Sequence, residues 1–110
     1  MSDSVLIALS TCPDEATAAR IAEALVMEGL ASCVNRIAGV RSTYFWDGRL
    51  QDECEFLLII KTTTGRLPDL ESRLKTLHPY EVPELVAMQV VGGNERYLDW
   101  VRMGVGSKGE

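Results

Sequence analysis

His78 is the only histidine of the chain, and Cys12, Cys33 and Cys54 are its only thiols. Imidazole nitrogen and thiolate sulfur suit copper and zinc, whereas carboxylates favour harder cations. A single histidine excludes a multi-histidine metal site within one subunit. A transition-metal site has to combine His78 with Cys12, Cys33 or Cys54, or with residues of a neighbouring copy. No pair among them has zinc-finger spacing. Each also has a plainer role. His78 falls where a helix would end, so it can favour the dipole there and bond a backbone carbonyl. Cys33 lies among Ala31, Val34 and Ile37 at a strand start, as a small buried hydrophobe would. Cys12, beside Pro13 at a helix N-terminus, is the better candidate for an accessible thiol of low pKa. A second polar group, Lys61 with Tyr80, Glu81 and Glu84, gathers near predicted strand ends. It can line a cleft between subunits that takes a small anion or a metal, or it can form an interface network.

Catalytic patterns find no support. One histidine in a proline-flanked loop does not make a Ser-His-Asp arrangement, and there is no G-x-S-x-G, P-loop or dinucleotide fingerprint. A non-enzymatic protein is expected. Sixteen acidic against 11 basic residues give a net charge of −5, and the basic residues are scattered, so a nucleic-acid footprint is missing. The longest apolar runs, 5–9 and 56–60, are too short to span a bilayer. The first residues lack the character of a signal peptide. Three cysteines without C-x-x-C point to reduced thiols in a cytoplasmic location.

The elements that position these residues follow from local pattern. The run 4–10 shows no alternation, which marks a central strand. Thr11-Cys12-Pro13-Asp14-Glu15 reads as a helix start, with a hydroxyl near the cap and Pro in the first turn. Ala18, Ile21, Ala22 and Leu25 form one apolar stripe, and Gly29 stops the helix. Asp47-Gly48 calls for a two-residue type I′ hairpin turn, with Gly39 as a bulge or bend. That turn pairs Phe45 with Leu50, Thr43 with Asp52 and Arg41 with Cys54. The returning strand ends in an apolar run, 56–60, and should be central. A second helix buries Leu67, Leu70, Leu74 and Leu77. Two prolines then break the chain, 85–91 forms a fourth strand, and Asn94 caps a last helix with Tyr97, Leu98 and Val101 as contacts. The tail 104–110 should fray. The order β-α-β-β-α-β is that of an α+β, ferredoxin-like sandwich, here with an extra C-terminal helix. The chain, 1–110, is expected to be one domain with an ordered core over about 4–103.

The hairpin is long for such a domain. Roughly eight residues on each side of its turn reach about 27 Å, and it carries Tyr44, Phe45 and Trp46. An isolated two-stranded ribbon is marginal in water, so it has to pack on something, and a second copy is the expected partner. Tyr44, Phe45, Trp46 and Trp100 are read as packing residues of that interface.

Several blocks together resemble the CutA family of divalent-cation tolerance proteins. They are Thr11-x-Pro13, Leu30-Ala31-Ser32-Cys33-Val34-Asn35, Ser42-x-Tyr44-x-Trp46-x-Gly48, Glu55, Lys61-Thr62-Thr63, His78-Pro79-Tyr80-Glu81-Val82-Pro83-Glu84 and Tyr97-Leu98-x-Trp100. The resemblance implies a cytoplasmic homotrimer, architecturally similar to PII-type signalling proteins, and an association with tolerance of copper and other divalent metals. It also implies copper or another divalent metal as a weakly bound cofactor, since some members are credited with copper binding through Cys and His side chains. His78 and Cys33 match such positions. Ser10 and Leu77 stand where relatives carry Cys or His, and Cys12 lies two residues beyond Ser10. The expected metal residues are therefore His78, Cys12 and Cys33, with a carboxylate as a further partner. The alternative reading is a signalling or adaptor trimer that holds a small ligand in clefts between subunits.

Overall fold

Residues 3–106 are described by a computed structural model. Strand β1 (Val5–Cys12) leads into helix α1 (Glu15–Met27), and the hairpin of β2 (Cys33–Trp46) and β3 (Arg49–Thr63) follows. A 3₁₀ turn (Thr64–Arg66) opens helix α2 (Leu67–Leu77), before β4 (Val86–Gln89) and α3 (Glu95–Gly104). The strands form one antiparallel sheet in the order β2-β3-β1-β4. The two most apolar strands are thus central, as a ferredoxin-like α+β sandwich with an added C-terminal helix requires.

Side-chain alternation divides the sheet into two apolar faces. Ala8, Cys12, Leu58 and Ile60 pack under α1 and α2 with Ile21, Leu25, Leu70 and Leu74. The opposite face carries Ile7, Leu9, Leu57 and Ile59, all half-buried, with Ile37, Val86 and Met88 exposed. Register makes these one patch: Ile7 opposes Met88, Leu9 opposes both Val86 and Ile59, and Ile37 opposes Leu57. Helix α3 covers only the end of that face, where Leu98 and Val101 bury Val5.

Three local details differ from the sequence expectation. The cap of α1 is the Asp14 carboxylate, which accepts from the Thr17 N–H at 2.8 Å. Thr11 still belongs to β1, and Pro13 lies before the cap. A carboxylate at the positive helix end caps better than a hydroxyl left in the strand ladder. Bonding to Thr17 holds Asp14 below its ordinary carboxylate pKa. Strand β4 has four residues instead of the expected 85–91: Leu85 turns inward onto the core. Residues 104–106, expected to fray, are instead tied down. The Gly106 N–H donates to the Gly29 carbonyl at 2.8 Å. A side chain at Gly29 would run into that same residue, and φ there is +73°. The rest of the tail, 107–110, lies outside the described residues.

The hairpin is built as its turn dictates. Asp47 and Gly48 both have positive φ, 55° and 74°, which is the type I′ combination. Phe45 opposes Leu50, Thr43 opposes Asp52 and Arg41 opposes Cys54, with a bulge between Ile37 and Val40. Strand β1 reaches only to Phe56, so the outer part of the hairpin has no third strand. There Phe45 is 71%, Trp46 65% and Leu50 72% exposed.

Candidate functional site

Where the hairpin leaves the sheet, its inner side and the loop after α2 enclose an open cleft of about 780 Å³. The two-residue period of β3 places Glu53 and Glu55 on one face, and the register sets Ser42 opposite Glu53, with Tyr44 two pairs farther out on the same face. The Tyr44 hydroxyl donates to Glu53 Oε1 at 2.8 Å. The Tyr80 hydroxyl donates to Glu55 Oε2, also at 2.8 Å. Glu55 is buried, with 6% of its surface exposed. Burial and then the bond to Glu55 hold the Tyr80 phenol well above its ordinary pKa. Tyr44 is raised chiefly by its bond to Glu53. Each tyrosine is raised slightly further by the other pair's carboxylate.

His78 fixes the loop that closes this cleft. It is the C-cap of α2, and its N–H donates to the Leu74 carbonyl at 2.8 Å. Its Nε2 lies 2.7 Å from the Thr11 carbonyl, which only accepts, so Nε2 carries the proton. Its Nδ1 accepts from the Tyr80 N–H at 3.1 Å. Both ring nitrogens of a neutral imidazole are thus engaged inside the protein, and the ring packs 4.7 Å from that of Tyr80. Thr11 also donates to Glu84 through its hydroxyl at 3.5 Å, and Glu81 lies on the cleft wall.

Three expected site residues need correction. Cys12 is fully buried on the helix-covered side of the sheet, and its thiol is raised to about 11, mainly by desolvation and then by the Glu55 charge. The helix N-terminus does not lower it, because α1 begins three residues later and buries the sulfur. Cys33 pairs with Lys61 in the ladder, five strand positions from the pairing of Cys12 with Phe56, or about 17 Å along β3. Lys61 itself lies six positions from Glu55, about 20 Å away, and bonds the Asn35 amide on the open sheet face. It does not join Tyr80, Glu81 and Glu84, which do come together. Among the described residues, no three His, Cys, Asp or Glu side chains converge into a metal-holding group. Cys54 is exposed on the ribbon, and Trp100 stacks on Tyr97 at 5.6 Å on the outer face of α3. Glu53 is a cleft residue that sequence reading missed, and Glu55 was noted only within a family block. The Asp47-Gly48 register places both on the face that Tyr44 shares, and that was the available signal.

The raised Cys12 thiol makes a measurable claim. The unfolded chain deprotonates it near 9.0 and the folded chain only near 11. Stability therefore falls as pH rises from about 9 to about 11. Cys12→Ala should flatten that part of a denaturation-versus-pH profile. A thiol reagent at neutral pH should modify Cys54 first and Cys12 only on unfolding.

A family model described as CutA1 divalent ion tolerance protein matches residues 6–103. The chain belongs to the CutA1 family. It is 49% identical over 100 residues to the divalent-cation tolerance protein CutA of Thermus thermophilus, covering 91% of this chain and 97% of that one. It is 44% identical to Protein CutA of Homo sapiens over 90% of this chain but only 55% of the human one. The chain thus spans nearly all of the bacterial relative and about half the length of the human protein. A solved CutA1 structure from Oryza sativa superposes with a TM-score of 0.93 at 36% identity, covering 96% of each chain. The Thermus thermophilus CutA1 structure gives a TM-score of 0.90 at 48% identity, over 93% of this chain and 99% of that one. These CutA1 relatives share the hairpin-bearing sandwich. No helix among the described residues is long and apolar enough to cross a membrane.

Proposed function

We propose that this CutA1 chain serves divalent-cation tolerance as a non-enzymatic homotrimer in the cytoplasm, and that its working site is the acidic cleft beside the hairpin. The observation that carries the reading is the cleft itself, where four glutamates and three aromatic residues line one open space. Copper or another divalent cation is held there weakly, by carboxylates. The alternative centre at His78 with Cys12 is disfavoured because the imidazole nitrogens and the thiol are already committed to internal packing. Assembly is supported by the uncovered apolar sheet face and the exposed ribbon, whose burial a ring of copies would complete. A signalling or adaptor role, with a small ligand in the cleft, is favoured by a volume that a lone metal ion would leave mostly empty. The free thiols of Cys12, Cys33 and Cys54 support a reducing compartment.

Calorimetric titration with Cu(II) and Zn(II) tests the site. The double variant Glu81→Gln/Glu84→Gln should lose most of the heat, and His78→Asn should keep it. The opposite pattern would return the metal to His78.

A further inference from the structure

We propose that helix α3 and residues 104–106 form a strap that opens and closes as a unit of its own, baring the end of the sheet remote from the cleft. Val5, which the strap covers, and Thr11, which bonds the cleft loop through Glu84, stand six positions apart on β1, about 20 Å.

The strap is fastened by polar clasps more than by packing. Of the ten residues of α3 only Leu98 and Val101 are buried, against Val5 and Val90. Its outer side leaves Tyr97, Trp100 and Met103 exposed. The Ser32 hydroxyl donates to the Val101 carbonyl, Arg102 Nε donates to the Asp3 carbonyl at 2.9 Å, and the Gly106 N–H donates to the Gly29 carbonyl. Two of these clasps lie on the loop between α1 and β2, and they need a close approach. A side chain on Gly104 would stand 2.6 Å from Ser32 Oγ and 2.9 Å from its Cβ. Few buried apolar contacts mark a segment that opens ahead of global unfolding. A hinge is also present. The Val90 N–H bonds the Val5 carbonyl at 3.1 Å, and the exposed, irregular Val91-Gly92-Gly93 follows directly.

The sheet beneath the strap opposes its closure. Thr63 opposes Val5 in the ladder and shares its face. Thr63 is fully buried, yet its hydroxyl has no hydrogen-bond partner among the described residues. An unpaired buried hydroxyl destabilises the closed state, and water reaches it when the strap lifts.

Hydrogen exchange, read by mass spectrometry on the intact assembly, tests the strap. The α3 amides should exchange about a hundredfold or more faster than those of β1 and the end of β3, at a rate independent of protein concentration. Gly104→Ala should speed α3 by about tenfold and leave β1 and β3 alone. Alanine is the better helix former, so an effect confined to the helix itself would have the opposite sign. Thr63→Val removes the unpaired hydroxyl at nearly constant shape and should slow α3 by about tenfold. Exchange of α3 in step with β1 and β3 overturns the proposal. So does slow exchange that quickens on dilution, because a neighbouring copy would then be holding the helix closed. Unchanged or faster α3 exchange in Thr63→Val overturns it as well.

Discussion

Phe45→Ser combined with Trp46→Ser is expected to turn the assembly into folded monomers at micromolar concentration. In one subunit both rings are mostly in water, so they contribute little to its own fold. Covering the exposed part of each ring against a neighbour is worth about 3 kcal/mol, and the contribution recurs in every copy of a closed ring. Light scattering should show the mass drop to that of one chain while far-ultraviolet circular dichroism stays unchanged. Retention of the trimer would mean that the open sheet face, with Ile37, Val86 and Met88, carries assembly without the ribbon. A control at Thr43, on the ribbon but polar, should leave the mass alone.

His78→Ala carries the second large effect, and it concerns the fold of the cleft more than any metal. The substitution leaves the Thr11 carbonyl and the Tyr80 N–H without their partners at a buried position. Two such losses cost about 2–4 kcal/mol. His78→Asn should fall between wild type and Ala, because its amide oxygen can stand near the place of Nδ1 and still accept from Tyr80. Denaturant midpoints give the order of the three proteins. Hydrogen exchange at the Tyr80 amide gives the location, since faster exchange there with an unchanged sheet isolates the loop. If His78→Ala lost metal binding with no change in stability or exchange, the structural role would be wrong.

A common physical cause links the two variants. The hairpin supplies Tyr44, Glu53 and Glu55, and the loop supplies Tyr80, Glu81 and Glu84, so neither element alone makes the cleft. His78 ties the loop to the end of β1, and β1 is the strand that fixes where β3 leaves the sheet. Cleft geometry therefore depends on a histidine that faces the protein interior.

The sequence by itself determined the parts governed by short-range rules. Asp47-Gly48 admits one hairpin turn, and from that turn the pairing of Phe45 with Leu50 and Arg41 with Cys54 follows by counting. Unbroken apolar runs put β1 and the end of β3 in the middle of the sheet, because only doubly covered strands tolerate them. The position of His78 at the end of α2 was legible for the same reason, but the partner of its ring, the Thr11 carbonyl at the end of β1, was not. What the tertiary structure decided were distances between residues far apart in the chain. Tyr80 and Glu84 of the loop after α2 meet Glu55 and Thr11 where β1 ends, about 20 Å along β3 from Lys61, and nothing local to Lys61 reveals that. Cys12 looked accessible from its neighbours Pro13 and Asp14, but packing of α1 and α2 over that side of the sheet buries it and raises its thiol. Local pattern fixes which way a side chain points; only packing fixes what it meets there.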